Sequence, residues 1–405
     1  MLPRVLCAVL LALPALSAPI RNFDFGSEAP RPGFTAVHPG DRFEREKGFG
    51  FDLNEAAEEG PGFVTGRGGF HFSVAVPPGN YRVRATFGGS GTASDNTVKA
   101  ECRRLMLHAF RTEPGERREA VFTVNVRTPE IPGGGRVRLK EREKPYLHWD
   151  GQLTLEFNGA RPAVDCLVIE PAPDATTVFL LGDSTVTDQP YEPWNSWGQM
   201  LPVFFDESVA VANHAESGES VRSSLGARRF EQVERTLKPG DFVLLQFGHN
   251  DMKDKAPDAL ETYRRNLVAA VERFRKLGGH PVLVTSMERK AGLRGRTLAG
   301  YPDAVRSVAK EQELPLIDLQ VASEVLYRAL GDRLDAAFQD GTHHNNFGSH
   351  LLARCVVEGI RREVPGLARH LRPGLPVFDP AAPEKPEDFT VPASPLRDPA
   401  KPDGD

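Results

Sequence analysis

The stretch Thr177-Val178-Phe179-Leu180-Leu181-Gly182-Asp183-Ser184-Thr185 sets the architecture of the larger part of the chain. From Thr177 to Leu181 the run is continuous rather than alternating, the pattern of a strand covered on both faces in a parallel sheet. Similar runs recur at Val209 to Ala212, Phe242 to Phe247, Val282 to Thr285 and Leu314 to Leu319. Between them the apolar period lengthens to that of a helix. Over 258–277, Leu260, Tyr263, Leu267, Val271 and Phe274 form one stripe. Asp258 with Glu261 predicts a capping-box-like start and Gly278-Gly279 a stop. A last helix is predicted from Phe347 to Arg362, with Leu351, Leu352, Cys355, Val356 and Ile360 turned inward. Strand and helix alternating over 173–372 predict an α/β three-layer domain on a parallel five-stranded sheet. A flavodoxin-like strand order is expected for it, although the spacing does not dictate one.

Upstream, the period is two. Phe70, Phe72, Val74 and Val76 alternate with His71, Ser73 and Ala75, and Pro77-Pro78-Gly79-Asn80 turns the chain. Tyr81, Val83, Ala85 and Phe87 then alternate with Arg82, Arg84 and Thr86. Phe122, Val124 and Val126 repeat the pattern, as do Leu153, Leu155 and Phe157. Short strands joined by glycine-rich turns predict an N-terminal all-β sandwich over 19–172. Downstream, nine of the 33 residues of 373–405 are proline, so that tail is expected to be extended or disordered. At the front, Arg4 precedes the apolar run Val5 to Leu13, and Ala15, Ser17 and Ala18 follow. A positive end, a short apolar stretch and a small-residue exit predict a signal peptide over 1–18 and an exported protein, extracellular or periplasmic. The run falls short of the roughly 20 apolar residues of a spanning helix. No later segment reaches that length, so no membrane partner is expected after signal removal.

The chain is 40% hydrophobic and 26% charged, with a formal net charge of −5. Losing Arg4, the one charge of the signal, takes −5 to −6. Such a chain, without a basic stripe, is a poor nucleic-acid binder. Cys102, Cys166 and Cys355 remain beyond the signal. An oxidising compartment permits a Cys102–Cys166 bridge, and buried free thiols are the other reading. No cysteine and histidine spacing marks a zinc site. Oligomeric state is not legible here.

Gly182-Asp183-Ser184 follows the first buried strand directly. In an open parallel sheet the ligand crevice lies beyond the carboxyl ends of the strands, and a serine there stands on that edge. Glycine allows the tight exit, and a helix N-terminus nearby is expected to favour the negative charge of an acyl-transfer transition state. Alone, such a serine reads more readily as an N-cap. Asp340-Gly341-Thr342-His343, just before the last helix, supplies what makes a hydroxyl a nucleophile: a base, and a group that holds its tautomer. Two further segments lie where strands end. Asn213-His214-Ala215-Glu216-Ser217-Gly218 follows the second strand, and Gly248-His249-Asn250-Asp251 the third. A glycine N–H and an asparagine amide suit the oxyanion of a tetrahedral intermediate. Each segment alone would pass as a turn. Four at strand ends do not.

Gly-Asp-Ser, a lone glycine, Gly-x-Asn-Asp and Asp-x-x-His, in this order, resemble the four blocks of the SGNH (GDSL-like) hydrolases. The resemblance covers about 177–367. It implies Ser184 as nucleophile, His343 as general base and Asp340 as the carboxylate that orients it. The Ser184 N–H, the Gly218 N–H and the Asn250 side chain would form the oxyanion hole. His249 and Asp251 are expected to hold the Asn250 loop by hydrogen bonds. Gly182-Asp183-Ser184-Thr185-Val186-Thr187, Trp197-Gly198-Gln199-Met200-Leu201-Pro202 and Phe247-Gly248-His249-Asn250-Asp251 resemble the rhamnogalacturonan acetylesterases within that group. This implies a secreted serine carbohydrate esterase acting on rhamnogalacturonan, with no cofactor and no metal. Phe23-Asp24-Phe25-Gly26, Gly48-Phe49-Gly50-Phe51 and Trp149-Asp150-Gly151-Gln152-Leu153 resemble a galactose-binding-like β-sandwich. Sugar binding and a purely structural role both stay open for that domain.

The partner implied is an acetylated polysaccharide or oligosaccharide. Acetylated xylan and lipid are the rival esters. The polar residues Asp188, Gln189, Glu192, Lys253 and Asp254 in the loops after the strands favour a carbohydrate over a lipid. A rival of another class is a non-catalytic glycan-binding protein, against which intact Ser184, Asn250, Asp340 and His343 stand. Glu288-Arg289-Lys290, after the fourth strand, reads as a solvated charged loop or as substrate contacts. The adjacent pair His343-His344 is too little for a metal site.

Overall fold

The computed structural model describes residues 19–26, 29–53 and 57–403, so the signal read at 1–18 lies outside the described residues. Thr176–Gly182, Val209–Asn213, Phe242–Gln246, His280–Val284 and Leu316–Ile317 are the strands of the larger body. They pair in parallel, with the first strand lying between the second and the third. A central strand needs apolar groups on both faces. Val178 and Leu180 pack into one core with helices Leu319–Leu330 and Asn346–Glu363. Phe179 and Leu181 pack into the other, against helices Arg229–Thr236, Ala259–Lys276 and Tyr301–Glu311. Helix Ala259–Lys276 buries Tyr263, Leu267, Val271 and Phe274, but Leu260, in its first turn, is 38% exposed and leaves the stripe. The expected capping box does not form either. Asp258 caps no backbone N–H, because its carboxylate accepts the Thr262 hydroxyl at 3.0 Å.

The upstream region is β-rich throughout. Phe49–Asp52, Phe70–Ala75, Gln152–Arg161, Ser94–Ala100 and Arg104–Thr112 form a five-stranded sheet. It faces Arg21–Phe25, Gly79–Gly88, Arg117–Val126 and Val164–Pro171 across one core that holds Phe23, Phe72, Val83, Phe122 and Leu155. The second of these layers continues into the larger body. Thr123 and Val124 pair in parallel with Ala210 and Val211, so a single 12-stranded sheet runs through both regions.

Two buried arginines pin that junction. Arg104 donates to Val211 O at 2.6 Å and Asn125 O at 2.8 Å, and pairs with Asp188 at 3.2 Å. Arg103 donates to Trp194 O at 2.9 Å and pairs with Glu192 at 2.6 Å. Asp188, Gln189 and Glu192 are therefore buried, which corrects their reading as polar loop surface. Their polar groups face protein partners, not solvent.

The proline-rich tail is extended, and it is packed rather than disordered. Phe378 and Val391 belong to the core of the larger body. Lys99 and Asn158 donate to Pro392 O and Ala393 O at 2.7 and 2.9 Å. The tail covers a face of the small sheet on which Lys99 and Glu156 pair at 2.8 Å. His71, in the alternating run, is buried beside Glu156, and Ser73 is buried against Thr154.

Cys102, Cys166 and Cys355 are free and buried, so the permitted Cys102–Cys166 bridge is not made. Cys102 lies in a separate small core with Ile131 and Trp149, whereas Cys166 pairs across its strand with Asp24 and Thr86. Burial pushes the Cys355 thiol up to about 12. Thiol labelling followed by peptide mapping should find all three unreactive in the native protein at about pH 8 and reactive after unfolding. A disulfide between Cys102 and Cys166 in the map would contradict this packing.

Candidate active site

The tight exit from the first parallel strand places the serine. A Cβ on Gly182 would lie 2.6 Å from Val186 Cγ2 and 2.7 Å from Gln246 O, so only glycine lets turn and neighbouring strand close in. Asp183 builds the turn. Its Oδ1 accepts the Thr185 N–H at 3.0 Å and the Thr185 hydroxyl at 2.7 Å. Its carbonyl accepts the Val186 and Thr187 N–H groups, each at 3.0 Å. No helix begins here, and the next one is Trp197–Met200. The helix N-terminus expected behind Ser184 is thus absent, since Asp183 closes a local turn and Pro190 and Pro193 keep the intervening segment out of helix.

Ser184 Oγ lies 2.9 Å from His343 Nε2, across 159 positions of sequence. His343 Nδ1 lies 2.8 Å from Asp340 Oδ2. Asp340 Oδ1 accepts the Thr342 and His343 backbone N–H groups at 2.7 and 2.6 Å. Burial opposes the charge on Asp340, but the His343 ring and these N–H donors outweigh it and hold the carboxyl well below its ordinary range. Trp194 meets the His343 ring edge-on, with centroids 5.8 Å apart. A hydroxyl, an imidazole and an ionised carboxylate in this row can move a proton off the hydroxyl and return it.

The loops after the second and third strands meet the serine turn. Gly218 adopts φ +78°, a conformation that costs glycine little. Arg142 donates to Ser217 O at 2.7 Å and to Glu216 Oε1 at 2.9 Å, and Lys140 donates to Ser217 O at 2.5 Å. Gln189 Nε2 reaches Ser184 O at 2.7 Å and Ser217 Oγ at 3.4 Å, so one buried amide ties both segments. Asn250 Nδ2 donates to Glu219 O at 3.0 Å, and its Oδ1 accepts from Lys253 at 3.1 Å. These contacts fix the amide plane and with it the direction of the second N–H. Arg142 and Lys140 were not legible as site residues, and Gln189 was legible only as a polar loop residue, not as the tie between these segments. Arg142 reads as one charge in a charged run, and its partner Glu216 lies 74 positions away.

His249 and Asp251 do hold the Asn250 loop. The His249 ring lies 3.3 Å from Asp183 Oδ2 and 3.1 Å from Met287 O, and Asp251 Oδ1 accepts the Val221 N–H at 3.0 Å. His344 faces Tyr327 OH at 3.0 Å. Glu288 is buried and accepts the Arg289 and Thr297 N–H groups at 2.9 and 3.2 Å, which corrects its place in a solvated loop. Arg289 reaches Thr342 Oγ1 at 3.3 Å. Among the described residues no group of three or more His, Cys, Asp or Glu is arranged to hold a metal ion.

Burial, with the charge of Asp183 adding to it, raises the Asp251 carboxyl to about 7, against the lowering effect of the Val221 N–H. A carboxyl raised in the folded state binds its proton more tightly there than in the unfolded chain. Stability from it is therefore fully present below the unfolded value of about 4 and is lost as pH rises toward about 7. Thermal melts of Asp251→Asn should show the variant gaining on the wild type as pH rises from about 5 to about 8. A constant difference across that range would contradict the raised pKa.

Residues 180–351 match the model of the GDSL-like lipase/acylhydrolase family. Rhamnogalacturonan acetylesterase RhgT of Bacillus subtilis (strain 168) is 38% identical over 216 residues, 48% of this chain and 93% of that protein. Uncharacterized esterase YxiM of the same organism is 27% identical over 371 residues, 85% of this chain and 91% of that protein. A crystal structure of the YxiM protein from Bacillus subtilis aligns at 25% identity and a TM-score of 0.47, over 86% of this chain and 100% of the other. Blocks in the right order, a serine, histidine and aspartate in contact, and a relative matched over nearly its whole length agree: the chain belongs to the GDSL-like lipase/acylhydrolase family and is an ester hydrolase.

Proposed function

We propose that this is an exported serine carbohydrate esterase that deacetylates rhamnogalacturonan through an acetyl-serine intermediate. One observation carries the chemistry: the 2.9 Å contact of Ser184 Oγ with His343 Nε2, backed by Asp340 at 2.8 Å. Ser184 Oγ bonds to the ester carbonyl carbon while His343 Nε2 takes its proton, and the carbonyl π pair moves onto oxygen. The Ser184 N–H, the Gly218 N–H and the Asn250 amide are the donors for that oxyanion. As the carbonyl re-forms, the bond to the sugar oxygen breaks, and the sugar hydroxyl leaves with the proton from His343. Water repeats the cycle against the acetyl-serine and releases acetate. Asp340, ionised throughout, keeps the proton on Nδ1 and stabilises the imidazolium.

The glycan is read from RhgT, a relative named for rhamnogalacturonan acetyl esters. Export is read from the pattern over 1–18. We take 19–172, 173–372 and 373–405 as sandwich, catalytic domain and tail. The strand order, second-first-third-fourth-fifth, supports a flavodoxin-like catalytic sheet.

Acetate release from a panel of native acetylated pectins and xylans tests the reading. Release should be greatest from acetylated rhamnogalacturonan, and Ser184→Ala should lower it by on the order of a thousandfold or more while the unfolding transition stays in place. Full activity in that variant would end the assignment. Asp340→Asn should cost roughly a hundred- to ten-thousandfold in kcat with KM little changed, because the imidazole loses its tautomer partner. Steady-state kinetics on one soluble acetyl ester reads both parameters.

A further inference from the structure

Two cations reach the Gly218 loop from outside residues 180–351, the part matched by the family. Arg142 sends one guanidinium nitrogen inward, to Glu216 and Ser217 O. Its other terminal nitrogen points away and pairs with the Asp403 carboxylate. Lys140 lies alongside. A Cβ on Gly218 would be 3.2 Å from Asp403 Cβ and 3.4 Å from Lys140 Nζ, so carboxylate, both cations and the oxyanion-loop glycine meet in one place. Two positions earlier in the tail, Lys401 Nζ lies 3.6 Å from Asp340 Oδ2. The tail therefore passes across the catalytic row, from Asp340 to Gly218. Residues 398 and 400–403 line a cavity of about 320 Å³ with Arg142, Tyr146, Trp194 and Ser217.

Ser184 and His343 are each 1% exposed, and the tail runs beside them, from Asp340 to Gly218. Its hold at this end is ionic and shallow, since the Asp403 and Lys401 side chains are 62% and 49% exposed and exposed pairs are weak. On their inner side both cations have an acid, Glu219 at 3.2 Å from Lys140 and Glu216 at 2.9 Å from Arg142, and the outward nitrogen of Arg142 is the one that meets Asp403.

We propose that Arg142 and Lys140 form a carboxylate subsite beside the ester-cleaving serine, and that Asp403 fills it as the chain's own stand-in for a uronic acid unit of the substrate. This rests on the esterase reading of Ser184 and adds a specificity-determining pair to it. A guanidinium suits a carboxylate through paired N–H donors. An acidic glycan would displace Asp403 carboxylate for carboxylate and lay its acetyl ester against Ser184. A neutral glycan would have to lift the tail without that exchange.

Binding, separated from turnover, tests this. The full-length Ser184→Ala protein is titrated calorimetrically with de-esterified oligogalacturonate, and with the same oligomer methyl-esterified at its carboxyl groups. The acidic oligomer should bind more tightly. Adding Arg142→Gln, which keeps a donor for Ser217 O and removes the charge, should weaken only the acidic oligomer, by about tenfold or more. Adding Asp403→Asn, a change on an exposed side chain, should tighten it several-fold. Equal affinity for the two oligomers, or a parallel loss of both in Arg142→Gln with no gain in Asp403→Asn, would overturn the subsite. Failure of the esterase reading shows elsewhere, as undiminished hydrolysis of p-nitrophenyl acetate by Ser184→Ala, and leaves the calorimetry readable.

Discussion

A guanidinium stripped of water must find partners for its charge and its N–H groups, or it destabilises whatever buries it. Arg104, 1% exposed, meets this demand with groups from three parts of the chain. Asn125 O comes from the upstream sheet, Val211 O from the second parallel strand, and Asp188 from the segment that follows the serine turn. Asn213 grips the same aspartate from the other side, at 2.8 Å, and donates to Val186 O at 2.6 Å. Losing any one partner would leave a buried charge short of a contact. The segment from Ser184 to Asp188 is therefore held from both sides before any substrate arrives. Pre-set geometry of this kind is what acyl transfer needs, since reacting groups held in place avoid the entropy cost of finding one another.

The same edge of the sheet carries two carboxylates shifted in opposite directions, and their donors explain why. Asp340 receives the His343 ring and two backbone N–H groups, enough to outweigh partial burial and keep it ionised. Asp251 is more deeply buried, receives the Val221 N–H and lies near charged Asp183, so burial wins. The first orients an imidazole. The second packs beside the Asn250 loop with its affinity for a proton raised. Deeper still, burial and neighbouring arginines keep His148 and His214 well below the ordinary imidazole range. Positive charge under the site thus stays with the arginines.

Proline explains how the tail can cross so much of the surface. A residue without an N–H has one polar group fewer to satisfy, and its carbonyl remains available to a neighbour. Pro392 O takes Lys99 in this way, and Ala393 O takes Asn158. A buried lysine and glutamate on the face of a sheet need such a cover, because the pair alone leaves donors and acceptors unmet. From there the chain continues to Glu192, whose carbonyl accepts the Asp398 N–H at 3.0 Å, and on to the catalytic row.

Much of this was legible in the order of residues. The five apolar runs lie within a few positions of the observed strands; Ser184, Gly218 and Asn250 lie in loops that follow strands, and Asp340 and His343 lie just before the last long helix. Period and turn chemistry depend on each residue and its near neighbours, so they survive in sequence. Contacts between distant surfaces do not. Nothing in the run Phe122 to Val126 says that Val124 pairs with Val211, that Asp188 and Glu192 turn inward to Arg104 and Arg103, or that the tail takes Lys99 through Pro392 O. The missing helix behind Ser184 and the unmade cap at Asp258 belong with these, because a side chain with several candidate partners chooses by what folding brings close. Residue order alone was enough to pick out Ser184, Asp340 and His343, which the fold brings into contact. Which charges are buried, and how far the tail reaches toward Asp340 and Arg142, waited on the folded chain, since burial is a property of surfaces that meet only after the chain has closed.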